Sequence, residues 1–188
     1  IQKYHKLEGC QNSNVIYNGI LSSNSVYYNK NKKNFFLFVG RIEEAKGILF
    51  LIDSYASYHK CHPDSFPLYI AGHGTEKYVK LLREKISTYA LETKIVLLGR
   101  TDDVLSLYKD AKALIVTSPA EGFGRITAEA MFAGCLVIGY DTAGTKEQFD
   151  NGKEMTGNEI ALRYKTQEQL VEHLINVTNT SIEHYEPL

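Results

Sequence analysis

From residue 34 onward the chain alternates between two patterns. Short runs of Val, Ile, Leu and Phe occur at 35–40 (FFLFVG), 67–72 (PLYIAG), 95–99 (IVLLG), 112–118 (KALIVTS), 135–140 (CLVIGY) and 159–164 (EIALRY). Each run is apolar throughout, the pattern of parallel strands covered on both faces. The stretches between them predict helices near 44–60, 75–91, 103–110, 125–134 and 166–178, and leave 141–158 without an assigned element. Strand-helix units in series predict an α/β fold, a Rossmann-like doubly wound parallel sheet over 34–188. Residues 1–33 differ: they are polar, rich in Asn and Ser, and end in Lys30, Lys32 and Lys33. This segment reads as a leader and solvated linker, with VIYNGI as a short extended piece turning at Asn18-Gly19.

In a doubly wound sheet, ligands bind outside the carboxyl ends of the strands. Those ends read VGRIEEAKG, IAGHGTE, LLGRTDD, VTSPAEGFG and GYDTAGTKE, with glycine at every one. With 188 residues and a net charge of -1, the chain suits one domain and has no basic footprint for nucleic acid. Cys10, Cys61 and Cys135 are scattered, without the spacing of a zinc site or a disulfide framework, so a reducing, cytoplasmic setting is expected. No apolar run has spanning length. The chain begins at Ile1 without a methionine, which implies processing or a piece of something longer.

The most concentrated chemistry lies in EGFGRITAE, residues 121–129. Glu121 ends a predicted strand, Gly122-Phe123-Gly124 forms a loop, and Glu129 falls about one turn inside the next helix. Free N–H groups of the loop and the positive end of the helix dipole make an anion site. Two carboxylates beside it would repel a phosphate but can accept hydrogen bonds from sugar or ribose hydroxyls, which together describe a nucleotide-sugar. The plainer alternative is that Glu121 satisfies the helix dipole and Glu129 is a surface residue. A second element is VGRIEEAKG, with Arg41 just after the first strand and Lys46 near the start of its helix, where the dipole disfavours a cation. Both could pair with Glu43 and Glu44 at the surface, or converge on a diphosphate and stabilise it as a leaving group.

GR-x4-KG at Gly40, Arg41, Lys46 and Gly47, followed by Glu121-x7-Glu129 in EGFGRITAEAMFAG, resembles the retaining glycosyltransferases of B-type, two-Rossmann architecture, the fourth family (group 1) in particular. AGHG and the LLG-to-helix loop stand in the matching order, and VIYNGI resembles that family's hinge strand. The resemblance implies the carboxy-terminal, donor-binding domain of such an enzyme. Arg41 and Lys46 would hold the diphosphate, Phe123 and Gly124 would offer amides, Glu121 would accept from the donor sugar and Glu129 from the ribose. Backbone atoms of Arg100 would read the base, with Gly72 and Gly74 allowing close approach, Gly40 among the donor-binding residues, and His73 either touching the ligand or standing exposed.

The same resemblance implies hexosyl transfer from a UDP- or GDP-sugar to a glycan or lipid-linked acceptor in polysaccharide biosynthesis. No metal or other cofactor is expected. The partner would be an amino-terminal acceptor domain absent from this chain, without which transfer is not expected, and any membrane association would belong to the full-length protein. Tyr4, Tyr17, Tyr27 and Tyr28 would mark surface covered by that domain. Asp102 and Asp103 are expected to cap the following helix rather than bind metal.

Two positions depart from the family pattern. Ala143-Gly144-Thr145-Lys146-Glu147 replaces Gly-Gly-x-Pro-Glu in the loop after the fifth strand, which leaves sugar contacts from that loop open. Arg125 stands where an apolar residue is usual, either adding charge near the phosphate or, as is favoured, facing solvent. A non-catalytic Rossmann-like module binding nucleotide or protein for regulation is the alternative. A dehydrogenase is disfavoured because no G-x-G-x-x-G follows the first strand.

Overall fold

The computed structural model describes residues 31–180. The Lys30 and VIYNGI readings and the leader tyrosines fall outside them. Six strands form one parallel sheet: β1 (Phe36–Val39), β2 (Leu68–Ala71), β3 (Ile95–Gly99), β4 (Ala113–Val116), β5 (Leu136–Tyr140) and β6 (Leu162–Tyr164). Their order is β3-β2-β1-β4-β5-β6, so the winding reverses between β1 and β4. The helices are α1 (Ile48–Cys61), α2 (Glu76–Thr88), α3 (Val104–Asp110), α4 (Arg125–Phe132), α5 (Ala143–Thr156) and α6 (Gln167–Asn179).

Alternate residues of each inner strand feed two cores, as the pleat requires. Phe36, Phe38, Ile70, Ile115 and Ile138 pack against α1, α2 and α6, while Leu37, Val39, Leu114, Val116 and Val137 meet Tyr108, Ala130 and Phe149 from the helices on the other face. Two of the buried tyrosines place their hydroxyls on backbone carbonyls. The Tyr55 hydroxyl donates to the Phe66 carbonyl at 2.7 Å, and that of Tyr164 to the Val116 carbonyl at 2.9 Å.

The structure corrects three sequence expectations. The helix predicted over 44–60 is broken: Glu44–Lys46 form a 3-10 turn and α1 starts only after Gly47, which sits at φ 68°. A Cβ at Gly47 would stand 2.5 Å from the Thr117 carbonyl oxygen, so the break is forced by close packing on the end of β4. Lys46 therefore ends the 3-10 turn and is not an uncompensated cation in a helical first turn. Lys32 is partly buried rather than simply solvated, and Lys33, though exposed, is paired. Lys32 Nζ donates to the Lys109 carbonyl at 2.8 Å and Lys33 Nζ meets the Asp110 carboxylate at 2.7 Å, both at the negative end of α3.

The third correction is α5, which fills the unassigned stretch; Thr145-Lys146-Glu147 lie within it and do not form a loop. Its large buried apolar side chain is Phe149, too little to show a helical stripe. An ion-pair cluster joins it to its flanks through Asp150. Arg163 of β6 reaches Asp150 at 2.6 Å, Glu159 at 3.1 Å and Asp141 at 3.2 Å, with its guanidinium 5.3 Å from the Phe149 ring centroid. Gly152 leaves room for Ile160, whose Cδ1 would lie 2.0 Å from a Cβ there.

Beyond the sheet, β1 and β2 continue side by side. The Ile42 amide donates to the His73 carbonyl at 2.8 Å, and Ile42 bridges to Gly74. A Cβ on Gly72, at φ 151°, would fall 1.8 Å from the Gly40 carbonyl oxygen, and one on Gly74 would fall 2.0 Å from that of Ile42. The close approach these glycines permit is thus between two strand ends.

Three outcomes are expected. Arg163→Leu strands the Asp141 carboxylate, which is 11% exposed, with Lys165 alone, and should lower stability by about 2 kcal/mol in urea unfolding. Lys146 first holds the Asp150 carboxyl below its usual range, and Lys153 does so for Glu159, with Arg163 adding to both. Folded values below unfolded ones give stability that is present above the unfolded pKa and lost as pH falls through the folded pKa. Melting temperature should therefore drop below about pH 4, less steeply in Arg163→Leu. Gly72→Ala should cost about 3 kcal/mol or prevent folding, read from the denaturant midpoint.

Candidate functional site

The reversal of strand order opens a cleft of about 400 Å³ at the carboxyl ends of β1 and β4. Its floor is Phe38, Val39 and Val116. One wall is Gly40, Arg41 and the 3-10 turn carrying Lys46; the other is Thr117, Ser118, Glu121 and the loop through Phe123 and Gly124 into Arg125 and Ile126. The walls are tied at the back. The Thr117 hydroxyl donates to the Lys46 carbonyl at 2.7 Å and the Ser118 hydroxyl to the Ala45 carbonyl at 3.2 Å.

Across the front, Lys46 Nζ donates to Glu121 Oε1, although 75 residues separate them in sequence. Both side chains are largely buried, at 19% and 13% exposure, so the pair is held in a setting where charge is felt strongly. Lys46 thus takes neither acidic neighbour. Arg41 does: its guanidinium lies 2.9 Å from Glu43 and is 68% exposed. Arg125 lines the cleft mouth at 70% exposure, 3.9 Å from Glu129 one turn on. The charged lining is three cations against one carboxylate.

One helix start, that of α4, borders this space, with Gly124, Arg125 and Ile126 on the lining. The helix begins at a glycine in the left-handed region, Gly124, and has no side-chain oxygen capping its first turn. Uncapped N–H groups with the positive end of the dipole favour an anion. Opposing demands meet here: an anion would compete with Glu121 for Lys46, and a freed Glu121 would need hydroxyl donors.

Of the residues expected at a site, Gly40, Arg41, Lys46, Glu121, Phe123 and Gly124 line the cleft together. Glu129 does not line it. It is half-buried on α4, and its charge, after burial, pushes the Tyr108 phenol above its ordinary pKa. That phenol is 2% exposed and is directed to the Glu129 carboxylate. Gly72, His73 and Gly74 stand on the neighbouring β2 loop, His73 exposed, and Arg100 is exposed just past β3. Asp103 caps α3, accepting from the Ser106 amide at 3.1 Å. Among the described residues no group of three His, Cys, Asp or Glu is placed to hold a metal ion, and no helix is long and apolar enough to cross a membrane.

Sequence reasoning missed Thr117, Ser118 and Gln148. The first two looked like strand ending, and Gln148 lies in the stretch without an assigned helix. The Gln148 side-chain amide donates to the Phe123 carbonyl and to the Gly124 carbonyl at 3.2 Å.

Residues 24–186 match the family Glycosyl transferases group 1. An uncharacterized glycosyltransferase of Methanocaldococcus jannaschii, MJ1178, is 33% identical over 71% of this chain. The O-antigen chain mannosyltransferase RfbU of Salmonella typhimurium is 32% identical over 73%. The chain covers 35% and 38% of these proteins, little more than a third of their length. Among solved structures, the C-terminal domain of LpcC from Francisella tularensis superposes with a TM-score of 0.67 at 23% identity, over 84% of this chain and 82% of that one. Anabaena HepE in complex with UDP superposes with a TM-score of 0.65 at 22% identity, over 83% of this chain and 45% of that one. With a family match over so much of its length, the chain belongs to the group 1 glycosyl transferases, and its fold is that of their carboxy-terminal domain in the B-type architecture.

Proposed function

We propose that this chain binds a nucleoside-diphosphate sugar, as the donor half of a retaining glycosyltransferase moving a hexosyl group to a glycan or lipid-linked acceptor. The observation that carries this reading is the cation excess of the β1/β4 cleft, where the one lining carboxylate, Glu121, is already held by Lys46. A diphosphate supplies the charge that balances Arg41, Lys46 and Arg125. On entering it takes Lys46 from Glu121, and the released carboxylate accepts hydrogen bonds from the donor sugar. Arg41 turns inward at little cost, since its pairing with Glu43 is exposed. When the bond from sugar to phosphate breaks, negative charge gathers on the diphosphate, and Lys46, Arg41 and the amides at the start of α4 stabilise it.

Glu129, one turn along α4, is assigned to the ribose, and the loops bearing Gly72, His73, Gly74 and Arg100 to the base. The UDP complex of HepE supports uracil there. RfbU, an O-antigen chain mannosyltransferase, and CapH of Staphylococcus aureus, a capsular polysaccharide biosynthesis glycosyltransferase, support a surface-glycan acceptor. Acceptor binding is assigned to a separate amino-terminal domain, so this chain alone should hold donor without transferring it.

Calorimetric titration with UDP, GDP and their hexose conjugates tests the reading. Wild type should bind one diphosphate class. Lys46→Ala should weaken that binding by about 1.5–3 kcal/mol, tenfold or more. Glu121→Gln frees Lys46, so UDP should bind as well or better while the gain from the attached hexose disappears. A folded wild-type chain that binds neither diphosphate at millimolar ligand would sink the proposal.

A further inference from the structure

We propose that Gln148 is a positioning residue that aims the amides of the 122–125 loop into the cleft. The proposal rests on the donor reading above, because it identifies what holds the phosphate-facing backbone in place. In a trans peptide the C=O and the following N–H point in opposite directions. The Gln148 amide draws the Phe123 carbonyl toward α5 and shares the Gly124 carbonyl with the Thr127 amide, which donates to it at 3.0 Å. The next N–H groups, those of Gly124 and Arg125, are thereby turned the other way, and both residues line the cleft on that side. A backbone tie acts in the same sense: the Gly144 amide donates to the Glu121 carbonyl at 2.8 Å, which turns the Gly122 N–H away from α5.

The fit is specific to an amide donor. The two acceptors are adjacent carbonyls, so a carboxylate at 148 would face two oxygens and repel both. Gln148 Oε1 is buried without a hydrogen-bond partner among the described residues, so the ties observed run through the nitrogen end. Contact between α5 and the loop is also tight enough to exclude a side chain. A Cβ on Gly144 would lie 2.2 Å from the Gly122 carbonyl oxygen. The helix that sequence patterning overlooks thus forms the back of the loop, and Gln148 acts on a ligand only through that loop.

The experiment compares wild type with Gln148→Met, similar in length but without a donor, and Gln148→Glu. The first readout needs no ligand: 15N relaxation of the Gly122–Arg125 amides. In wild type these should show rigid-backbone order parameters near about 0.85, falling toward about 0.6 in both variants while β4 and β5 amides stay unchanged. The second readout is affinity for UDP against uridine. Both variants should lose UDP affinity about tenfold and bind uridine as wild type does, because only the diphosphate meets the loop. Unchanged loop order in Gln148→Met, or equal losses of UDP and uridine, would overturn the proposal. If wild type binds neither ligand, the donor reading fails, and the relaxation data alone decide whether Gln148 orders the loop.

Discussion

The site depends on how closely the two halves of the sheet approach where their winding reverses. Helices leave β1 and β4 in different directions, and nothing in the sheet brings their first turns together. Contact is made by backbone: Gly47 packs on the Thr117 carbonyl, and the Thr117 and Ser118 hydroxyls take the carbonyls of Lys46 and Ala45. Only with the 3-10 turn held in this way does Lys46 reach Glu121. Small side chains on one wall and an absent one on the other therefore set the width of the cleft. Its electrostatics follow from that width.

The sheet could be read in advance because its strands are buried on both faces and so are written as unbroken apolar runs. The helices that pack apolar stripes on it, α1, α2 and α6, were legible for the same reason. What escaped was held by interactions without a sequence period. The break at Gly47 exists because of Thr117, a residue seventy positions away, and α5 is anchored by the single large apolar side chain of Phe149 and by Asp150, whose partner Arg163 lies on a later strand. Lys32 and Lys33 looked like solvent because their partners are backbone and side-chain oxygens at the end of a helix much later in the chain.

The candidate site divides along the same line. Gly40, Arg41, Lys46, Glu121, Phe123 and Gly124 were nameable because loops at strand ends concentrate polar groups where a doubly wound sheet binds ligands. Their mutual arrangement was not nameable. Neither weighed reading of Lys46 included Glu121 as its partner. Arg41 pairs with Glu43, as one of the weighed readings held, and Arg125 is both exposed and on the lining, so facing solvent and facing the cleft were not exclusive. Gly72 and Gly74 serve backbone packing between loops, a role that spacing alone does not separate from ligand approach.

The lysines at the base of β1 have a mechanical consequence. The strand that carries Gly40 and Arg41 is fastened at its far end, where Lys32 grips the Lys109 carbonyl and Lys33 grips Asp110, and again at its tip, where Ile42 bridges to Gly74. It behaves as a strut clamped at both ends. Sliding of β1 along its neighbours, which would carry Gly40 and Arg41 out of line with the opposite wall of the cleft, is thereby opposed at both ends of the strand.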